Sequence, residues 1–189
     1  STELQVTQQQ NQVLNQNLQR ALATQDPEVI GEFVASNADY LSGTNMAPFR
    51  TIEGIKSAVA LGNALDTGDL ATATSAANSF FRPQLNKAVG QPGKDGKPIT
   101  NVEIMGIRNE GEGFKIPVMV TTQGGGKYPS FISQLRSADP NDPQKNFSPD
   151  ELIGTIKATN SVANLLQNSS YFGRLVQNAQ NVRAAEQPQ

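Results

Sequence analysis

Ile99-Thr-Asn-Val-Glu-Ile-Met-Gly-Ile-Arg-Asn-Glu-Gly-Glu-Gly-Phe-Lys-Ile-Pro-Val-Met-Val-Thr-Thr122 is the stretch on which the fold turns. Val102, Ile104 and Ile107 before its middle, and Ile116, Val118 and Val120 after it, alternate or nearly alternate with other residues, the period of a half-buried strand. Asn109-Glu-Gly-Glu-Gly113 lies between the two runs, so the stretch reads as an antiparallel β-hairpin with a five-residue loop. Pro117 has no amide hydrogen, which puts its strand at an edge or at a bulge. The Gly124-Gly-Gly126 run turns the chain, and residues 128–132 offer a third short strand. Just upstream, the Gly, Pro and Lys of residues 90–98 mark the change from helix to strand.

On either side of this stretch the period is helical. Asp26-Pro27-Glu28 combines an N-cap, a proline at the first helical position and a first-turn carboxylate, opening a helix that carries Val29, Ile30, Phe33 and Val34 and stops near Asn37. Residues 38–50 read as a loop. Thr51 caps a helix to about Asp66, with Ile52, Ile55, Val59 and Leu65 inward, and Gly68 ends it. A second helix begins at Asp69 and runs to Pro83, and the two form an antiparallel hairpin closely packed through Ala58, Ala60, Ala64, Ala73, Ala76 and Ala77. Downstream, Ser148-Pro149-Asp150-Glu151 has the form of a capping box and opens a helix through Leu152, Ile156, Val162, Leu165 and Leu166. Ser169 restarts or continues it as a final helix bearing Phe172, Leu175, Val176 and Val182.

The fold class that follows is mainly α (α+β), helical hairpins with a small antiparallel β-hairpin or three-stranded sheet inserted. Four modules are expected: an oligomerising amphipathic helix over residues 1–24, a helical hairpin over 25–89, a small β module over 90–136 and C-terminal helices over 137–189. In the first, Leu4, Asn11, Leu14, Leu18 and Ala21 follow a heptad seam with an amide at an a-type position, which marks a short coiled coil and a homo-oligomer. An amphipathic helix lying on its own domain is the other reading of the same spacing. The start at Ser1 without Met, and the end at Glu186-Gln-Pro-Gln189, lead us to expect a piece of a longer protein.

Composition narrows the chemistry. The 189 residues hold no Cys and no His, so disulfides, thiolate nucleophiles, His-ligated metals and His-dependent triads lack their parts. Gln and Asn are abundant, 18 and 17 residues, while Trp is absent and aromatics make up 6%. Such a chain suits long, modestly apolar helices that pack against copies of themselves or a larger assembly. No run of 18 apolar residues exists, so no membrane span is expected.

The remaining motifs fail as sites. Gly124-Gly-Gly-Lys127 lacks the first glycine of a phosphate loop, since Thr121 stands there, and Tyr128 follows the lysine in place of Ser or Thr. Glu110 with Glu112, and Asp66 with Asp69, are carboxylate pairs in turns or caps where water keeps them ionised. No catalytic residue, cofactor or metal site is expected. Charge is more informative: the net is -2 overall, yet residues 80–136 carry 8 basic and 4 acidic side chains. Lys94, Lys97, Arg108, Lys115 and Lys127 are the candidates for contact with an anion or a partner, including weak contact with DNA that is indifferent to sequence.

Ala64-Leu-Asp-Thr-Gly-Asp-Leu-Ala-Thr-Ala73 with Ala76-Ala-Asn78, then Gly93-Lys-Asp-Gly-Lys-Pro98, a strand pair and Ser148-Pro-Asp-Glu-Leu152, resembles a module of tailed-bacteriophage internal virion proteins, the DNA-ejection proteins carried inside the capsid. The resemblance covers residues 50–170 in layout and short motifs. It implies a structural, oligomerising role in a virion, an ejection conduit or a tail-associated assembly, beside other structural proteins and without catalytic activity in this segment. A helical-hairpin adaptor or scaffold of a cellular complex is the alternative.

Overall fold

The computed structural model describes residues 2–186, with the side chain of Leu4 outside the described set. Eight α-helices are present among the described residues: α1 Thr2–Ala23, α2 Pro27–Ser36, α3 Ala38–Leu41, α4 Ile52–Thr67, α5 Leu70–Phe80, α6 Arg82–Leu85, α7 Pro149–Leu166 and α8 Ser170–Glu186. Between α6 and α7 lie β1 Ile99–Ile104, β2 Arg108–Asn109, β3 Phe114–Lys115, β4 Pro117–Thr122 and β5 Lys127–Phe131. The fold is mainly α with a small antiparallel β component. No described helix is long and apolar enough to cross a membrane. The chain divides into two compact units, one made of the chain up to Lys56 and from Ser161 onward, the other of Ser57–Asn160. These divisions fall inside α4 and α7 and do not coincide with the expected module boundaries.

In the first unit α2 is the central element, packed by α1 and by α8. Asp26 accepts from the Glu28 amide at 2.9 Å and Pro27 occupies the first turn, the start anticipated from sequence. Ile30 and Val34 are buried, and Gly31 admits α8 so closely that a Cβ there would lie 2.8 Å from Cβ of Tyr171. Tyr171 donates its hydroxyl to the Phe49 carbonyl at 2.8 Å, and its burial raises the phenol pKa. Residues 38–50 are not the expected loop. They form α3 and a 3-10 turn over Ala47–Arg50. The reason is burial of Leu41, Met46 and Phe49, with the Ser42 and Thr44 hydroxyls closing turns onto the Asp39 and Leu41 carbonyls.

In the second unit β1, β4 and β5 form an antiparallel sheet in the order β1-β4-β5. Val102 faces Val120 and Ile104 faces Val118, with a register shift at Thr100. β2 and β3 make a separate two-stranded ribbon, Arg108 opposite Lys115 and Asn109 opposite Phe114. The single hairpin expected from sequence is therefore two ladders, and its loop is the four residues 110–113. Of the two expectations for Pro117, an edge or a bulge, the edge is not met: β4 is central. Pro117 stands at its first position, where only its carbonyl is used, accepting from Met105 at 2.8 Å.

The edges of this sheet are closed by identifiable groups. On the outer side of β1, the Asn78 carboxamide accepts from the Ile104 amide at 2.7 Å and donates to the Ile104 carbonyl at 2.8 Å. Arg82 adds a bond to the Val102 carbonyl at 2.9 Å. On β5, Ile132, Ser130 and Tyr128 alternate with Lys127, Pro129 and Phe131; the Ile132 amide is spent on Ile116, so Pro129 belongs to the outward set, where a missing N–H costs no ladder bond. Lysine and proline on an outer strand discourage further strand pairing.

The helical stretch makes its turn where the sequence places it. A Schellman turn ends α4, with Asp69 N–H bonded to Ala64 and Gly68 N–H to Leu65 and Gly68 at φ 76. Beyond it, Ala73 and Ala77 are buried on an α5 that packs along β1. α5 also brings Asn78 to Ile104. α4 meets α7: Asn160 donates to the Ala58 and Val59 carbonyls at 3.2 and 3.1 Å, and a Cβ on Gly62 would collide with its side chain.

Asn78→Ala removes both bonds to a buried strand residue. It is expected to destabilise the protein by about 1–3 kcal/mol, read as a lowered denaturation midpoint; an unchanged midpoint would mean that water closes this edge equally well.

Candidate functional site

The basic residues of the β module derive their positions from the sheet. At the end where β4 meets β5, Gly124 and Gly125 take φ 92 and 89, and the Thr122 amide reaches the Gly126 carbonyl at 2.8 Å. The glycine run is thus a hairpin connection leading into Lys127. Beside it, residues 93–97 close on themselves through Gly93 N–H to the Lys97 carbonyl at 2.7 Å. Asp95 anchors this turn: its Oδ2 accepts from the Thr122 hydroxyl at 2.6 Å and its Oδ1 from the Lys97 amide at 3.0 Å. The Thr122 bond is the main reason that the Asp95 carboxyl titrates below its ordinary range. The Lys94 amide donates to the Tyr128 hydroxyl at 2.9 Å. Lys94, Lys97 and Lys127 are all exposed at this end.

Arg108 and Lys115 lie at the opposite end of the strands, one six-residue strand away, about 17–20 Å. They are cross-strand neighbours, as their spacing around the loop indicated. Both face Glu110, Lys115 Nζ at 3.3 Å and Arg108 at 4.0 Å. Lys115 also stands 5.8 Å from the centre of the Phe131 ring. Asp150 approaches the same ribbon, accepting from the Phe114 amide at 3.1 Å. The structure therefore sets Lys94, Lys97 and Lys127 at one end of the sheet and Arg108 and Lys115, beside Glu110, at the other. Arg82, another of the basic residues of the 80–136 stretch, is held by the β1 backbone.

One member of each carboxylate pair is likewise engaged, Glu110 with Lys115 and Arg108 and Asp69 at a helix end. Asp69 caps α5, accepting from the Thr72 amide at 3.2 Å and from its hydroxyl at 2.6 Å. The hydroxyl bond is the first cause of its lowered pKa. A carboxyl so stabilised in its ionised form is a poor proton donor at neutral pH.

The α1 seam is shared between the chain and its surface. Leu18 and Ala21 are buried, Leu14 is half-buried and Asn11 is exposed; the side chain of Leu4 lies outside the described residues. Leu18 is thus spent within the chain, on the α2 side of the helix. Next to it, a groove of about 420 Å³ runs between α1 and α2, lined by Asn17, Arg20, Ala21, Val29, Phe33 and Asn37 among others. This groove was not legible in the sequence, because it lies between two helices whose lining includes amides and a half-buried phenylalanine.

Asp95 yields a pH prediction. Its folded pKa is depressed, so its contribution to stability is present above the ordinary carboxylate pKa and lost as pH falls through the folded value. Asp95→Asn should lower the melting temperature at neutral pH, and the gap to the parent should shrink as the solution is acidified below about pH 4. A gap that stays constant with pH would show that the charge is immaterial. Compared with known proteins, the chain matches no family model, no curated protein and no solved structure.

Proposed function

We propose that this chain is a non-catalytic structural component that self-associates and assembles with other structural proteins. The observation that carries this reading is α1: over residues 2–13 it is helical while every described side chain is exposed. A helical segment of about 12 residues is marginal in water without packing, so a partner that covers it gains a formed helix at little ordering cost. The closed sheet edges speak against strand addition as the mode of assembly. The resemblance of residues 64–78, 93–98 and 148–152 to internal virion proteins supports placing the component in a tailed-phage virion, ejection conduit or tail-associated complex. A cellular adaptor built on the same helices is the alternative.

The cations have a lesser part in this reading. Lys94, Lys97 and Lys127 meet phosphates or an acidic neighbour weakly and without regard to base sequence. With three phosphates neutralised, the dependence of log K on log salt for duplex DNA should not exceed a slope of about -3. Changing these lysines to Ala should abolish binding at low salt, whereas Arg108→Ala with Lys115→Ala should leave it nearly intact. The reverse pattern would move the contact to the ribbon.

Native mass measurement tests the main reading. A discrete oligomer is expected at micromolar concentration, reverting to monomer on deletion of residues 1–13. A monomer at all concentrations would remove self-association. Recovery of the chain from purified particles of the phage that encodes it, and its departure from them on DNA ejection, would separate virion component from cellular adaptor.

A further inference from the structure

α2 is shorter than both helices it holds. Its 10 residues span about 15 Å, against about 33 Å for the 22 residues of α1 and about 25 Å for the 17 of α8. Two bonds fix how α8 lies on it: Ser170 N–H to Glu28 at 2.8 Å and Arg174 to Glu32 at 2.9 Å. The offset is the same in both, so α8 runs parallel to α2 and passes its last residue, Ser36, at about Asn178. α1 joins α2 through a three-residue connection, and their groove is lined by residues from Asn17 to Thr24 of the one and from Val29 to Asn37 at the end of the other, so the two helices run back along each other, antiparallel. The start of α1 and the end of α8 therefore both overrun α2 at the same end.

The stripes that pack on α2 continue into these overhangs. On α1 the stripe is Ala21, Leu18 and Leu14, then Asn11 at the next a-type position. On α8 it is Tyr171 and Leu175, then Val182, which is 56% exposed. We propose that this end of the unit is a self-association surface, on which a second copy of the chain replaces α2 and the two α1 helices cross about a two-fold axis at Asn11. This rests on the proposed structural role and names its partner.

Three observations select a second copy as the occupant. An asparagine at an a-type position is best satisfied by the same residue of an identical helix, each carboxamide donating to and accepting from the other. The overhangs carry only Glu3, Arg183 and Glu186 as charged residues, so two copies meet without repulsion, while nucleic acid or an anionic lipid surface would find no cationic face. The overhangs supply about 31 Å of helix, half of whose surface is roughly 500 Å² at ~10 Å diameter. That is of the order of, and below, the roughly 800 Å² each partner gives to a specific interface, so the pairing is concentration-dependent.

The absence of cysteine makes the test direct. Asn11→Cys should form an interchain disulfide under mild oxidation at tens of micromolar protein. Val13→Cys, 54% exposed but two residues on and so on the opposite side of the helix, should not. Asn11→Asp puts two carboxylates together on the axis and should weaken dimerisation at least tenfold at pH 7, with no change in the melting of the dilute monomer. If the chain is an oligomer by mass but links through Val13, or is indifferent to Asn11→Asp, the crossing at Asn11 is wrong and the structural role stands. If it is monomeric at all concentrations, both fall.

Discussion

The pair of hydrogen bonds between the Asn78 carboxamide and the backbone of Ile104 governs the architecture of the second unit. A carboxamide presents the same donor and acceptor as a peptide group, so Asn78 does for β1 what a fourth strand would do. The substitution has consequences upstream. To place that side chain, α5 must lie along β1, and its small residues Ala73 and Ala77 let it do so. The Gly62 side of α4 accepts Asn160 from α7. One amide on each of two helices thus ties its helix to another element.

This also explains why so many carboxamides are compatible with a folded chain. Asn78 satisfies the outward backbone groups of Ile104, where an aliphatic side chain would leave them to water or unpaired, and Asn160 adds a second hydrogen bond to carbonyls of α4. Asn37 reaches back to the Phe33 carbonyl at the end of α2, and Asn146 holds the Ser133 carbonyl across the loop before α7. Sparse aromatic content is offset by aliphatic packing: Val102, Ile104, Val118 and Val120 are buried in the sheet, with Phe80 and Phe81 in edge-to-face contact, their centroids 4.8 Å apart.

Local signals were legible in the sequence where one residue sufficed to set the backbone. Asp26-Pro27, Thr51, Gly68, Asp69, Ser148 and Ser169 mark helix ends that the structure places within a residue or two, and strand period located β1, β4 and β5. Long-range choices were not legible. Nothing near Asn78 says that its carboxamide will meet the edge of a strand, because the pattern of a helix does not name the partner of its polar side chains. Pro117 was misplaced because proline excludes an internal donor position, and the first residue of a central strand satisfies that condition as well as an edge does. For the cations, sequence identified the cross-strand pair Arg108 and Lys115, but not Glu110 between them or the strand length that separates them from Lys94, Lys97 and Lys127.

The two units differ in how they finish their hydrogen bonds and apolar surface. In the second, the outer side of β1 is met by Asn78 and Arg82, and that of β5 carries Lys127 and Pro129, so the sheet ends at groups that oppose extension. In the first, the stripes of α1 and α8 have no comparable stop: Leu18 and Ala21 are buried, Leu14 is half-buried and Asn11 lies open along one continuous helical face, and Val182 follows Leu175 on another. A helix that ended with its cover would need a cap near Leu14. The sequence puts there good helix formers, Gln9, Gln10 and Gln12, whose long side chains lose little freedom in a helix. Helix is thus continued where cover is absent, and the second copy proposed above would bring to it the same weak, amide-interrupted apolar stripe.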